Sequence, residues 1–364
     1  MHNFVLGAVG SAVYAHPIGA SSIATRASID LISPPAPVLS PTAEFDEDLL
    51  PLLVCPRDKR PLRRDHDRLI CPNHHEYAVV EGIPILLLRE TNQTHIEGER
   101  SLAVAEAADA ACLPQFKVKP GEIDPFVNRA IGATNGSLYQ HLVGHLTEYP
   151  IPELRLPRGN GELFLEIGCN WGRWCIAAER LGYRPIGIDP SFKSIRAARR
   201  VARQLGVNAH YVVADGRFLP FADGTIHQAF SYSVLQHLSR ENVELVLKEI
   251  RRALQTGGRY QIQMPNTFGL RCLYHQAWRG FREAQDFEVR YWRPRQLIST
   301  FASVFGSARL SVDGYFSLNP QMSDLRLLPK KYRALVRLSH TLCKMSENLP
   351  PLVYLADSLY VSSL

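Results

Sequence analysis

A short stretch near the middle of the chain, residues 162–172, reads E-L-F-L-E-I-G-C-N-W-G and sharply restricts the fold that can form. Leu163 to Ile167 is a nearly all-apolar run, as expected of a parallel strand that is buried on both faces. A turn that bears glycines follows, and an apolar helical pattern begins after Gly172. A strand, a glycine turn and a helix in this order predict the nucleotide-binding half of a doubly wound α/β fold.

The residues of this turn indicate a nucleoside ligand without phosphates. A dinucleotide site has the pattern G-x-G-x-x-G, but Asn170 stands at its middle position and Arg173 follows Gly172. Glu166, two residues before Gly168, would repel a pyrophosphate and would suit a ligand that carries an ammonium group. S-adenosylmethionine (SAM) has an adenosine, a zwitterionic amino acid and a sulfonium, and it has no phosphate.

The turn resembles motif I (E/D-x-G-x-G-x-G) of the class I SAM-dependent methyltransferases. Asn170 replaces the middle glycine, and asparagine tolerates a positive φ better than most residues do. The likeness, including V-L-Q-H-L at 234–238, covers residues 161–264. It implies an α/β fold with a Rossmann-like, seven-stranded sheet and SAM as the cofactor. The cofactor-binding residues it implies are Glu166, Gly168, Cys169, Asn170, Gly172, Asp189, Asp215, Gly216 and Ser231.

Polar residues at later strand ends complete this predicted cofactor site. Asp189 lies 23 residues after Glu166, where a carboxylate accepts hydrogen bonds from ribose hydroxyls. The resemblance implies that Asp215 accepts from the exocyclic amine of adenine. Ser231 lies at the carboxyl edge of the fourth strand, where ligands bind in open α/β sheets. The strands are predicted at 163–167, 185–188, 210–214, 226–230, 260–264, 308–316 and 355–362.

Amphipathic segments between these strands predict the helices. Ser191 and Ser239 are placed to cap two of them, and Gly257 with Gly258 is expected to end the second. Another helix is predicted at 131–146. The helix after Ser191 carries four arginines at helical spacing, for which a solvated outer face is favoured over contact with phosphate. They are Arg196, Arg199, Arg200 and Arg203.

An N-terminal module at 51–89 has the spacing of metal ligands. Cys55 and Asp58 have C-x-x-C spacing with aspartate in the second position, and Cys71 and His75 follow as C-P-x-x-H. Two such turns about 15 residues apart bring four ligands together on a tetrahedral zinc. The alternative is a ribbon without metal that is held by its apolar residues.

The module resembles the zinc-ribbon family typified by the activator subunit shared among tRNA and protein methyltransferases, and its G-I-P-I-L ending is typical of that family. It also resembles the N-terminal zinc module of the bacterial large-subunit rRNA guanine methyltransferases. Asp58 departs from their sulfur-rich ligand pattern, although carboxylates do bind zinc. The resemblance implies one structural zinc, and the metal-free alternative stays open because some members of the family have lost the metal.

These signals divide the chain into four parts. We expect a disordered lead-in at 1–44, a zinc-ribbon-like module at 45–90, a helical linker that covers the cofactor at 91–155, and a methyltransferase domain at 156–364 with an acceptor-site insertion at 265–295.

The 41 basic and 35 acidic residues give a net charge of +6, too little for an obligate nucleic-acid binder, although RNA is not excluded. No apolar run reaches the length of a membrane span, and no Lys or Arg precedes Arg26 as a signal peptide requires, so a cytoplasmic protein is expected. The sequence does not indicate an oligomeric state.

Two histidines are candidates for the base that methyl transfer to oxygen or nitrogen requires. The transfer is an in-line displacement from a sulfonium, and the acceptor must also lose a proton. His237, a few residues after the fourth strand, is the first candidate, and His275 is the second. A capping or packing role is the alternative for His237. Tyr139 and His141 are expected to pack rather than to contact substrate.

Three functions are compatible with the sequence. A SAM-dependent methyltransferase acting on a small-molecule or lipid-linked acceptor is favoured, because the aromatic residues at 281–292 suit an apolar or planar body. An rRNA or tRNA methyltransferase is the alternative; the ribbon and the mild basicity favour it, and the lack of an N-P-P-Y-type motif after strand four opposes it. A non-catalytic partner protein with this fold is the third, and the intact glycine and acidic positions oppose it.

Overall fold

The structure is a computed structural model that describes residues 44–107, 118, 121–316 and 319–363. The lead-in predicted at 1–44 lies outside the described residues except for Glu44, and the described residues belong to one compact unit. In the part of the chain that the structure describes, no helix combines the length and the apolar character needed to cross a bilayer.

The strands of the described residues are β1 Arg63–Asp65, β2 Arg68–Ile70, β3 Glu76–Val80, β4 Ile83–Leu86, β5 Leu163–Ile167, β6 Arg184–Asp189, β7 His210–Ala214, β8 Ile226–Ser231, β9 Leu254–Pro265, β10 Arg309–Gly314 and β11 Ser358–Ser362. The helices are α1 Ile96–Glu106, α2 Pro125–Asn135, α3 Arg173–Arg180, α4 Phe192–Gln204, α5 Arg240–Ala253, α6 Leu270–Trp278, α7 Pro294–Phe305 and α8 Lys330–Ser346. Short 3-10 helices lie between them, among them Ser137–Leu142, Leu235–His237, Met322–Leu327 and Pro350–Leu355.

The sheet has the order β1-β2-β3-β4-β7-β6-β5-β8-β9-β11-β10. Its central strands β7, β6, β5, β8 and β9 are parallel, and β11 and β10 close one side as an antiparallel pair. Every residue of β5 is buried, as its uninterrupted apolar run requires. The predicted Rossmann-like, seven-stranded methyltransferase fold is therefore confirmed.

The N-terminal ribbon continues this sheet instead of forming a separate layer. Strand β4 pairs in parallel with β7, with Ile85 opposite Val213 and Leu86 opposite Ala214. At the start of the ribbon, the Val54 N–H donates to the Pro220 carbonyl over 2.9 Å. The ribbon and the methyltransferase core thus share backbone hydrogen bonds and one apolar core.

The prediction that the four arginines of α4 face solvent is wrong for three of them. Arg196 is buried and pairs with Glu81 of the ribbon, and Arg199 donates to the Glu81 carbonyl over 2.6 Å. Arg200 pairs with the buried Asp124, just before α2, over 2.6 Å. The helical spacing gave no sign of these partners, because they come from segments more than 70 residues away in the chain. The basic face of α4 is an internal docking surface for the ribbon and for α2.

Two predicted boundaries are also wrong, and each has a local cause. The helix predicted at 131–146 is instead α2, which begins at Pro125 because Asp124 caps it, and which ends before Gly136 at a φ of 105°. The Gly257-Gly258 pair does not end α5, because Leu254 is already extended and pairs with Ile226. The two glycines therefore lie inside the long strand β9. The capping serines 191 and 239 do cap α4 and α5, as expected.

Candidate functional site

The turn between β5 and α3 has a backbone shape that depends on its glycines. Gly168, Asn170 and Gly172 have φ values of 75°, 47° and 80°, in the left-handed region that glycine and asparagine accept most easily. A Cβ on Gly168 would lie 2.3 Å from Val234 Cγ2, and one on Gly172 would lie 2.5 Å from the Tyr211 hydroxyl. Any side chain at either glycine would displace β7 or the segment after β8.

Glu166, at the end of β5, is fully enclosed beneath this turn. Its Oε2 accepts the Cys175 N–H over 2.9 Å and so ties the strand to the first turns of α3. Burial raises the pKa of Glu166 to about 8. Its predicted contact with the ligand's ammonium group stays a prediction. Cys169 is also buried, with its thiol pKa raised by burial, and has a packing position next to Gly187.

Asp189 ends β6 and faces the same turn. Its Oδ2 accepts the Asn170 N–H and its Oδ1 accepts the Ser191 N–H, each over 2.9 Å. Each oxygen keeps a second lone pair, which is what two ribose hydroxyls need. Burial raises the pKa of Asp189 to about 6, because two backbone donors compensate only part of the cost of enclosing its charge.

Asp215 and Ser231, at the ends of β7 and β8, are already engaged by protein groups. The Asp215 carboxylate forms an ion pair with Arg217 at 2.6 Å, and Arg217 also donates to the Asn92 carbonyl over 2.7 Å. Ser231 is buried and donates to the Ile167 carbonyl over 3.0 Å, so it joins β8 to β5. A Cβ on Gly216 would lie 3.0 Å from an Ile167 methyl group. The adenine contacts expected of Asp215 and Gly216 stay predictions.

Arg173 is a candidate site residue that no motif in the sequence predicted. Arg173 is the first residue of α3 and is 6% exposed, and its guanidinium lies over the rings of Trp174 and Tyr232 at 5.4 and 5.7 Å. Its Nη1 is buried and has no hydrogen-bond partner among the described residues. The sequence signal that could have indicated Arg173 is its position directly after Gly172, at the start of a helix whose next residues are apolar and buried.

Other buried polar atoms close to the turn also lack a partner among the described residues, including the Tyr211 hydroxyl and the Trp174 indole N–H, and two of them belong to asparagines. These two are Oδ1 of Asn170 and Nδ2 of Asn135, the last residue of α2. Asn135 reaches the turn because its Oδ1 accepts from the Trp171 indole N–H at 3.4 Å. One guanidinium nitrogen and one amide oxygen without partners at this turn are complementary to the carboxylate and ammonium groups of an amino acid. The residues present therefore fit SAM.

The segment predicted to cover the cofactor packs on the outer side of this turn. Tyr139 is fully buried, and its hydroxyl donates to the carboxylate of Asp324. Trp171 lies in the same apolar cluster as Tyr139. His141 lies within 3.1 Å of the Leu327 carbonyl. Both contacts agree with the expected packing roles of Tyr139 and His141.

His237 ends the 3-10 helix that follows β8 and is fixed by its neighbours. Its ring stacks on that of Phe287 with centroids 4.0 Å apart, and its Nδ1 lies 2.7 Å from the Phe287 carbonyl. Because a carbonyl only accepts, Nδ1 carries the proton, and the lone pair of Nε2 faces the Gln236 amide at 3.2 Å. Burial lowers the pKa of His237 to about 4. His237 is therefore a weak base in this arrangement, and its catalytic role stays a prediction.

His275, the second candidate base, lies on α6 and is partly buried. Burial and then the nearby Arg271 lower its pKa. Its catalytic role also stays a prediction.

The four predicted metal ligands, Cys55, Asp58, Cys71 and His75, converge on one point in the ribbon. Nδ1 of His75 lies 3.4 Å from Sγ of Cys55, 3.4 Å from Sγ of Cys71 and 3.3 Å from Oδ2 of Asp58. The Asp58 and Cys71 ligand atoms are 3.6 Å apart. Zinc bonds of about 2.0–2.3 Å at tetrahedral angles place ligand atoms about 3.3–3.8 Å apart. The spacing and the chemistry of the four groups fit a closed structural zinc site.

A cavity of about 390 Å³ lies elsewhere, at the opposite ends of α3 and α4. Its walls include Arg180 and Gln204, from the last turns of these helices, together with Tyr149 and Arg326. The glycine turn is at the other end of α3, so this cavity is distinct from the candidate cofactor site at that turn.

Comparison with known proteins agrees with both halves of this description. The family model "Methyltransferase domain" matches residues 164–258, and "Trm112p-like protein" matches residues 46–82. A ubiquinone biosynthesis O-methyltransferase of Agrobacterium fabrum is 30% identical over 94 residues, which are 26% of this chain and 37% of that protein. A UPF0434 protein of Vesicomyosocius okutanii subsp. Calyptogena okutanii is 47% identical over 50 residues, 14% of this chain and 85% of that protein.

Among solved structures, the complex between the Haloferax volcanii Trm112 methyltransferase activator and the putative methyltransferase superposes with a TM-score of 0.40 at 14% identity. The match covers 65% of this chain and 92% of that one.

The fold and the β5–α3 site define the class: this is a chain with a SAM-dependent methyltransferase domain. Through residues 46–82 the chain belongs to the UPF0434 and Trm112p-like family. The resemblances to SAM-dependent methyltransferases and to the zinc-ribbon family of the methyltransferase activator are thereby confirmed. The matched region spans about a third of the length of the Agrobacterium relative.

Proposed function

We propose that the protein transfers the methyl group of SAM to an oxygen or nitrogen atom of a small-molecule or lipid-linked acceptor. The observation that carries the proposal is the position of the insertion at 265–295. Its second half returns to the carboxyl edge of the sheet, where Thr267 N–H donates to the Trp292 carbonyl over 2.9 Å and Arg290 N–H donates to the Gln236 carbonyl over 2.7 Å. The insertion therefore borders the edge from which a sulfonium methyl group would project.

In this proposal the chain's own residues hold SAM by three groups of contacts. Asp189 accepts hydrogen bonds from the ribose hydroxyls, and Arg173 with Asn170 binds the amino-acid end. The glycine turn lets the backbone approach the ligand closely. SAM itself supplies the electrophilic methyl group, and the protein supplies alignment, which lowers the barrier for an in-line displacement.

The aromatic residues of the insertion support an apolar or planar acceptor. Phe287, Tyr291 and Trp292 lie on the segment that returns to the sheet edge, and Trp292 is buried there. Phe287 stacks against His237 and lies 4.6 Å from the ring of His95, just before α1. Aromatic walls with a few polar groups are typical of small-molecule sites, whereas an RNA backbone calls for a dense lining of Lys and Arg.

An RNA acceptor is the second candidate, and a specific observation favours it. Lys330, Lys331 and Arg337 of α8 are exposed and carry positive charge to one surface. The basic face of α4 gives much less support to an RNA acceptor. Arg196 forms an ion pair with Glu81, and Arg200 forms one with Asp124. Cytoplasmic localisation and the four-part division of the chain stay predictions.

A labelled-methyl assay distinguishes the two acceptors. The purified full-length protein is incubated with SAM labelled in its methyl group, once with total RNA and once with a small-molecule and lipid extract of the host. We expect label in the extract and none in RNA. Labelling of RNA alone, reduced by added salt, would contradict the proposal. The variant Lys330→Ala with Lys331→Ala is the matched control, since it should impair only RNA methylation.

A further inference from the structure

Helix α6 presents an apolar face to solvent. Its inner side is held by Cys272, which is buried, and by Gln276, whose amide donates to the Thr267 and Cys272 carbonyls. Large apolar side chains on the other side are 38–70% exposed. They are Phe268, Leu270, Leu273, Tyr274, Trp278 and Phe281, and we call them the aromatic face. An ordinary surface helix has the opposite arrangement, with its apolar side turned to the core.

The aromatic face belongs to a segment that is well anchored. The N–H groups of Arg271 and Cys272 donate to Oδ1 of Asp357, over 2.7 and 2.9 Å. The amide of Asn266 donates to the Tyr354 carbonyl over 2.9 Å. This last contact holds the start of the segment against the backbone at Tyr354, a residue whose side chain is exposed.

The stretch that carries this face is basic up to Glu283, where acidic residues begin. From residue 266 to residue 282 there is no aspartate or glutamate, whereas Arg271, Arg279 and Arg282 all lie in this stretch. Arg279 and Arg282 approach Glu288, and Arg271 is exposed at the start of the helix. Aromatic and aliphatic side chains beside arginines are what a helix lying in the headgroup region of a bilayer presents.

We propose that the aromatic face docks on the surface of a lipid bilayer that contains anionic lipids. Trp278, Tyr274 and Phe281 enter the region between headgroups and acyl chains, and Arg271 meets lipid phosphate. A second copy of the chain is a weaker occupant, because a stable dimer buries about 20–30 residues on each side, several times what this face offers. The inference does not depend on which acceptor is methylated.

Tryptophan fluorescence tests the proposal directly, because the chain has four tryptophans and only Trp278 is exposed. Trp171, Trp174 and Trp292 are each at most 2% exposed. Vesicles of phosphatidylglycerol and phosphatidylcholine should shift the emission of the full-length protein to shorter wavelength and should protect it from acrylamide quenching. Trp278→Phe should lose this response and still sediment with the vesicles, since phenylalanine keeps the apolar side chain.

The variant Tyr274→Gln with Trp278→Gln and Phe281→Gln should sediment with vesicles at least about tenfold more weakly, because it removes three apolar anchors. Leu245→Gln on α5, where Leu245 is 41% exposed, is the matched control and should sediment like the wild type. Calorimetry with SAM should give the same affinity for the triple variant and the wild type, which shows that it is folded. Equal vesicle binding by the triple variant and the wild type would overturn the proposal. The proposal would also be overturned if the wild type bound no vesicles and formed a dimer, while the triple variant was a monomer.

Discussion

Glu81 of the ribbon and Arg196 of α4 form a two-bond ion pair, with Nε and Nη2 of the guanidinium each 2.8 Å from a carboxylate oxygen. Glu81 lies in the turn between β3 and β4 at a φ of 51°, and the side chain of Arg196 is 9% exposed. The pair therefore fixes the turn of the ribbon on the methyltransferase domain, next to the pairing of β4 with β7.

Removal of one partner of this pair should destabilise the whole described unit. Glu81→Gln removes the carboxylate that forms two hydrogen bonds with the buried guanidinium, and we expect a loss of about 3 kcal/mol in the free energy of unfolding. Chemical denaturation measures the loss. Arg203→Met, an exposed position on the same helix, is the control and should change stability by less than about 0.5 kcal/mol. A single transition is expected, because ribbon and core share one sheet; separate transitions would show that they unfold independently.

Arg173 should be unfavourable for stability and favourable for SAM binding. Arg173→Met removes a buried charge with an unpaired Nη1 and keeps the packing over Trp174 and Tyr232, so the free energy of unfolding should stay equal or rise. SAM affinity should fall at least about tenfold, because a charged hydrogen bond to the ligand carboxylate is lost. Arg173→Lys, which keeps the charge, should retain an intermediate affinity. Unchanged affinity in Arg173→Met would remove this residue from the site.

The ribbon should contain about one zinc per chain when the protein is purified without chelator. His75→Ala should lose the metal, and His74→Ala, at the adjacent exposed position, should keep it. Chelation should lower the melting temperature of the whole unit, because Lys59, next to Asp58, pairs with Glu249 of α5 at 2.6 Å. A metal-free protein whose melting temperature is insensitive to chelator would make the ribbon a module held by packing alone.

Protonation of His237 should destabilise the fold in mild acid. Its pKa is about 4 in the folded state and about 6.5 when unfolded, so between these values only the unfolded chain binds the proton. The stabilising contribution is complete above about pH 6.5 and is lost as the pH falls towards 4, by about 3 kcal/mol at most. Chemical denaturation at several pH values should show that the free energy of unfolding falls less steeply with decreasing pH for His237→Gln than for the wild type. His66→Gln is the control, since that side chain is 97% exposed, and an equal slope for both variants would contradict the assignment.

The apolar strands and the glycine turn were predictable because each depends on residues close together in the chain. The run at β5, the caps Ser191 and Ser239, and the order of the strand ends all carry local signals. The partners of Arg196 and Arg200 were missed because they lie far away in the chain. Arg173 was not proposed from the sequence because its neighbours suggested only a buried helix, and its unpaired nitrogen is revealed only by the packing.

Titration of the protein with SAM tests the central claim most directly, which is that the β5–α3 turn and Asp189 form the cofactor site. Isothermal calorimetry should show one SAM per chain. Asp189→Ala should weaken binding by about 1.5–3 kcal/mol for each hydrogen bond lost between the carboxylate and the ribose. Asp223→Ala, at a side chain that is 76% exposed, should bind SAM as the wild type does. No binding by the wild type, or equal affinity for the wild type and Asp189→Ala, would contradict the account.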